Sequence, residues 1–161
     1  MLGYLAPNDF YITQKNDLAN KITGYSLVFF RSEKCSYCTD VYPAFAQLSN
    51  QVQGCTFAMM DIDQEKKRIV DMALMTNNKL TYVPCIMFYV NGVPYSEFHP
   101  DEVNPQSNLE RLKTFLIEAT TEIKSGGKKA LKPEAISSHS IGIPGNKKRV
   151  CYLTYETAYA K

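Results

Sequence analysis

Tyr25-Ser26-Leu27-Val28-Phe29-Phe30, then Arg31-Ser32-Glu33-Lys34, then Cys35-Ser36-Tyr37-Cys38: the reading of this stretch decides the fold. The first six residues are continuous, apolar and rich in aromatics, as in a strand buried on both faces. From Ser36 to about Gln53, apolar residues recur as Val41, Phe45, Leu48 and Val52, which is helical spacing. Pro43 falls inside that helix and is expected to kink it. A strand that passes through a short loop into a helix sets Cys35 at the helix N-terminus. There the orphan N–H groups and the positive end of the helix dipole stabilise a thiolate, the form that attacks disulfides. Cys38, one turn later, can close an internal disulfide.

A C-x-x-C also occurs as half of a zinc site, which normally needs four ligands. The remaining candidates, Cys55, Cys85, Cys151, His99 and His139, form no second close pair. A third reading takes the two cysteines as ordinary small residues at a helix start. The surrounding βαβ pattern favours redox chemistry over both, and no metal or cofactor is expected.

Working outward, Cys55-Thr56-Phe57-Ala58-Met59-Met60-Asp61-Ile62 reads as a second buried strand, and Lys66 to Met75 as a helix carrying Ile69, Val70 and Ala73. Residues 81–90 form another apolar strand, interrupted near its start by Pro84. Asn91-Gly92 is a strong hairpin signal leading into Val93 to Phe98. Ser107 to Lys124 predicts a helix, with Ser107 and Glu110 as a capping box and Leu109, Leu112, Phe115, Leu116, Ala119 and Ile123 as its apolar stripe. Gly126-Gly127 ends it. Upstream, Phe10-Tyr11-Ile12 suggests an edge strand, and Lys15 to Ile22 a short helix ended by Gly24. The order strand, helix, strand, helix, hairpin, helix predicts an α/β fold. Its first two strands are parallel, in a small mixed sheet flanked by helices.

The chain has 161 residues, enough for one domain and an appendage. No stretch approaches the roughly 20 apolar residues of a membrane span. Met1 to Asn8 lacks the basic and apolar regions of a secretory signal. The five cysteines do not form a secreted framework, so a reducing compartment, the cytoplasm, is expected. Charge is uneven: ten Lys/Arg against fourteen Asp/Glu through Ile123, net −4, and eight against two from Lys124 onward, net +6. Residues 1–124 therefore read as the domain and residues 125–161 as a basic linker and docking extension. Lys66-Lys67-Arg68 reads as a solvated helix face, so nucleic acid is an unlikely partner. Asp61 and Asp63 read as strand-end and turn residues, Cys55 as core, and neither histidine has an assigned role.

Residues 25–123 resemble the thioredoxin superfamily. The resemblance rests on the C-x-x-C opening a helix after a buried strand, Pro43 five residues after Cys38, Asp61-Ile62-Asp63-Gln64, Val83-Pro84 and Asn91-Gly92. It implies a thioredoxin-like fold, a cis Val83–Pro84 bond beside the cysteines, Cys35 as nucleophile, Cys38 as resolving thiol, and a backbone before Pro84 that pairs with an extended substrate peptide. Lys34, Tyr37, Val83 and Cys85 would then be substrate contacts, and Lys34 would favour the Cys35 thiolate while Glu33 opposes it. Cys85 reads either as a third redox thiol or as a small buried hydrophobe. The chain departs from the family pattern in lacking Trp, in having Ser36-Tyr37 between the cysteines, and in carrying Phe29 where thioredoxins have a buried acid. Ser-Tyr resembles glutaredoxins, but their Gly-Gly-x-Asp segment is absent.

In the extension, Gly126 to Pro144 reads as a linker. Lys147-Lys148-Arg149 then precedes a β-prone stretch, Val150 to Tyr155, expected to dock on its own domain or on a partner's sheet edge. This ending resembles thioredoxin-like proteins of large double-stranded DNA viruses. Two functions follow. One is a thiol–disulfide oxidoreductase acting on protein thiols and disulfides. The alternative is a thioredoxin-fold structural or adaptor component, a minor capsid protein of the virion, assembled through residues 125–161.

Overall fold

The computed structural model describes residues 2–63, 68–100, 104–126 and 151–152. A five-stranded sheet runs in the order β1 (Leu2–Leu5), β5 (Cys55–Asp61), β4 (Tyr25–Arg31), β7 (Cys85–Val90), β8 (Val93–Phe98). β1 and β4 are both parallel to β5, and β4, β7 and β8 are successively antiparallel. The two runs read as buried strands are thus the parallel centre of a mixed sheet. Val28, Phe29 and Phe30 are fully buried there, which is why the run shows no polar alternation.

Two helices pack on one face. α1 (Ser36–Ser49) buries Val41, Phe45 and Leu48. α3 (Asn108–Lys124) buries Leu112, Leu116 and Ala119. Phe45 of α1 sits edge-on between Phe29 and Phe57, each ring centroid 5.3 Å away. Phe115 of α3 meets Phe88 and Phe98 in the same manner. Side chains alternate across a strand, so Phe29 and Phe57 face α1 while Phe30 faces the opposite side. There Phe30 meets Phe10 at 5.7 Å. α2 (Arg68–Leu74) contributes Ile69, Val70 and Ala73 to the core.

Several expectations need correction. The stretch from Lys15 to Ile22 is not helical: Leu18–Asn20 is strand β3, antiparallel to β2 (Phe10–Ile12). Thr13 Oγ1 accepts the N–H groups of Lys15 and Asp17, and Asn16 takes φ 66°, so the local hydrogen bonds close a turn instead. All three β3 residues are buried, with the Leu18 N–H donating to Asn78 Oδ1 at 2.8 Å. β2 therefore belongs to this small hairpin, and the edge beside β5 is β1. α1 stops at Ser49, short of Gln53. Ser107 is the N-cap of α3 but forms no capping box: its backbone is already αR, and its hydroxyl donates to the Asn104 carbonyl at 2.9 Å. Cys55 opens β5 only partly buried, not in the core.

The Asn91-Gly92 turn is as expected, with both φ values positive (51° and 85°). Gly92 is required on a second ground, since a Cβ there would overlap the Asn20 carbonyl oxygen. The interrupted strand splits at the proline into β6 (Tyr82–Val83) and β7. β6 leaves the main sheet and pairs antiparallel with β9 (Cys151–Tyr152), with Val83 opposite Cys151 and Tyr82 opposite Tyr152. The one part of the docking stretch that is described thus lies on its own domain. Lys66, Lys67, His139, the linker from Gly127 on, Lys147-Lys148-Arg149 and residues 153–161 lie outside the described residues.

Candidate active site

Three elements converge beside Cys35: the end of β4, the start of α1 and the β6–Pro84 corner. The β4–α1 loop is shaped by an acid from β5's exit. Asp63 accepts the Ser32 hydroxyl and the Glu33 N–H, each at 2.7 Å, while Ser32 Oγ accepts the Lys34 N–H at 3.1 Å. Next to it, Arg31 Nε donates to Asp61 Oδ1 at 2.8 Å. Asp61 and Asp63 are strand-end and turn residues, as expected, but Asp63 also fixes the loop that delivers Cys35.

Cys35 is the N-cap of α1, in extended backbone conformation. Its Sγ accepts the Cys38 N–H at 3.2 Å, as a serine or aspartate oxygen would. That donor stabilises negative charge on sulfur. On its other side, the Cys35 thiol donates to the Val83 carbonyl at 3.7 Å, a contact that favours the protonated form. The Val83–Pro84 peptide bond is cis. The Cys35 sulfur therefore lies between its partner cysteine and the backbone just before the proline. Cys35 stands at the helix mouth as its sequence position implies, but neither sulfur is open to solvent: Cys35 and Cys38 are 2 % and 1 % exposed, and Val83 is 1 % exposed.

The other sequence-derived candidates are placed differently. Lys34 is exposed beside Cys35, and Tyr37 is half-buried against the core. Cys85 is buried and stands opposite Phe30, on the sheet face away from α1. Burial pushes its thiol well above the ordinary value, and the neighbouring Glu97 adds to this. Cys85 is thus a buried thiol that donates to Glu97 rather than one facing Cys35's side of the sheet. The Cys55 thiol is likewise pushed up to about 12 by burial. Among the described residues, no three His, Cys, Asp or Glu side chains come together as a metal site.

Phe29, which the resemblance sets where thioredoxins carry a buried acid, packs edge-on against Phe45 on the α1 side of the sheet. A desolvated acid lies instead on the opposite face of the sheet, away from α1. Glu97 of β8 accepts the Tyr82 hydroxyl and, at 3.7 Å, the Cys85 thiol, so it ties together the residues on either side of Val83–Pro84. Desolvation raises its pKa to about 7 against the lowering effect of those two hydrogen bonds. Sequence reasoning missed it because a bulge at Phe88/Tyr89 shifts the β7–β8 register, and only that shift sets Glu97 opposite Met87.

The thioredoxin family model matches residues 10–118, which span every element of this corner except β9. The chain belongs to the thioredoxin family. Two relatives match along most of its length. Uncharacterised protein 196R of Invertebrate iridescent virus 6 is 30% identical over 149 residues, covering 88% of this chain and 79% of its own length. Uncharacterised protein 020R of Invertebrate iridescent virus 3 is 33% identical over 146 residues, covering 88% and 84%. Thioredoxin-3 of Dictyostelium discoideum is 34% identical over 85 residues, 52% of this chain and 76% of its own. The fold is similar to that of Chlamydomonas reinhardtii thioredoxin f2 (TM-score 0.52, 16% identity, 76% of this chain and 97% of the other). It is also similar to spinach chloroplast thioredoxin f (0.53, 13%, 74% and 86%). This thioredoxin-family chain is thus related over most of its length to iridescent virus proteins. Among its described residues, no helix is long and apolar enough to cross a membrane.

Proposed function

We propose that the chain is a protein thiol–disulfide oxidoreductase working in a reducing compartment. The observation that carries this reading is the position of the Cys35 sulfur: capped by the Cys38 N–H and in contact with the carbonyl that precedes cis-Pro84. In the reductive direction, the Cys35 thiolate attacks one sulfur of a target disulfide, and the other target sulfur leaves as a thiolate. Cys38 then loses its proton and attacks Cys35 Sγ, and the second target sulfur leaves. The target gains two thiols, and Cys35–Cys38 becomes the disulfide. The electron pair passes between sulfurs throughout. The backbone at Val83 aligns the target peptide, with Lys34 and Tyr37 at the margin.

The test is insulin disulfide reduction with dithiothreitol as the electron source, together with mixed-disulfide trapping by Cys38→Ser. The wild type should turn over, Cys35→Ser should not, and Cys38→Ser should accumulate a partner bonded to Cys35. No turnover and no trapped partner would reject the reading. The capsid or adaptor alternative gains no specific support, because the described part of the docking stretch is paired within the chain.

A further inference from the structure

Val83 is a neighbour of two cysteines at once. Its carbonyl accepts the Cys35 thiol, and its strand partner in the β6–β9 ladder is Cys151. Directly opposed residues of an antiparallel pair have Cα atoms about 4.5–5.5 Å apart. Cys151 therefore sits one strand spacing from the residue that touches Cys35. β9 also uses the backbone edge next to cis-Pro84, where a substrate peptide would pair on the redox reading above. Cys35 and Val83 are both closed to solvent in this arrangement.

We propose that β9 is an internal occupant of the substrate edge and that Cys151 is a third exchanging thiol, forming a Cys35–Cys151 disulfide. The inference rests on the redox function and adds a regulated resting state to it. The starting point is the Cys35–Cys38 disulfide left when a target protein has been reduced. The Cys151 thiolate attacks Cys35 Sγ. The Cys35–Cys38 bond breaks, the electron pair leaves on Cys38, and Cys38 takes up the proton that Cys151 gave up. One disulfide replaces another with no net oxidation, and the nucleophile is capped until Cys38 attacks back. Because β9 belongs to the same chain, its competition with a substrate peptide does not fall as the protein is diluted. The same pairing gives a role to Cys151 and Tyr152, two β-prone residues within a basic extension.

The test uses the full chain. Wild type, Cys38→Ser and the double variant Cys38→Ser/Cys151→Ser are oxidised with diamide, which turns two thiols into a disulfide and is itself reduced to the hydrazine. Remaining thiols are alkylated and disulfide-linked peptides are mapped by mass spectrometry. Cys38→Ser should yield a monomeric Cys35–Cys151 link as its main product, and the double variant should lose it and leave Cys35 alkylated. Tyr152→Pro, placed on the Cys38→Ser background, removes one β9 N–H. Where that group serves the ladder, the link falls by up to about tenfold, the worth of one net hydrogen bond. The proposal is overturned if Cys35 in Cys38→Ser stays open to alkylation, pairs with Cys55 or Cys85, or links only between molecules. If wild type reduces insulin and forms Cys35–Cys38 while Cys38→Ser gives no Cys35–Cys151, this inference alone fails. If wild type does neither, the redox reading fails with it.

Discussion

Glu97→Gln should remove most of a pH dependence of stability that the wild type carries. Raising a carboxyl from 4.5 to about 7 corresponds to about 3 kcal/mol of differential interaction between its two protonation states. Glu97 as a whole keeps partial exposure, so this is the upper end of the effect. The folded protein holds the Glu97 proton more tightly than the unfolded chain does. Between about pH 4.5 and 7 the folded state is therefore the more protonated one, and stability falls as pH rises. The contribution is intact below the unfolded value, is lost through the folded value near 7, and is gone by pH 8. Glutamine keeps the shape, and its carbonyl still accepts from Tyr82, but it cannot ionise. Urea unfolding at pH 5, 6, 7 and 8 is the assay. The variant should be the more stable by just under about 1 kcal/mol at pH 5 and by up to about 3 kcal/mol at pH 8. With a urea slope of about 1–3 kcal/mol/M, that difference moves the midpoint by about 1–3 M. Other titrating groups cancel in the comparison. Parallel stability profiles for the two proteins would refute the placement of the Glu97 carboxyl in a desolvated corner.

Three further outcomes follow from the same geometry. Asp63→Ala removes the acceptor of two hydrogen bonds in the β4–α1 loop, and should cost about 2–4 kcal/mol in urea unfolding while changing the rate at which Cys35 is alkylated. Phe45→Ala empties the contact between α1 and both parallel strands and should lower stability by about 3–5 kcal/mol, read from the denaturation midpoint. Gly92→Ala meets both a positive φ and the Asn20 carbonyl, so a loss of about 1–3 kcal/mol is expected, with weakened amide protection at Asn20, whose N–H donates to the Gly92 carbonyl.

Where local pattern and tertiary role coincide, the sequence was a sound guide. Residues 26–30 and 57–60 are buried on both faces, so their apolar continuity announces central strands, and Asn91-Gly92 carries the positive φ values that a tight hairpin needs. Cys35 follows a strand and precedes a helical period, which is enough to make it a cap. The 15–22 stretch misled because its apolar spacing admits a helix, while Thr13 and Asn16 close a turn and Asn78 draws Leu18 into a buried strand from 60 residues away. Ser107 and Glu110 had the spacing of a capping box, but a preceding 3-10 turn had already used the serine hydroxyl.

By itself the sequence determined the family, the parallel pair at the centre of the sheet, and the C-x-x-C at the mouth of a helix. All of these are written in short-range periodicity and spacing. Only the tertiary structure decided that both sulfurs are shut away, that Glu97 is held in a desolvated position on the sheet face away from α1, and that Cys151 lies across from Val83. Those three facts depend on register: a bulge in β7–β8, and a strand pairing between residues about 70 apart in the chain. Register is fixed by which distant strands meet, and no local pattern of residues encodes that.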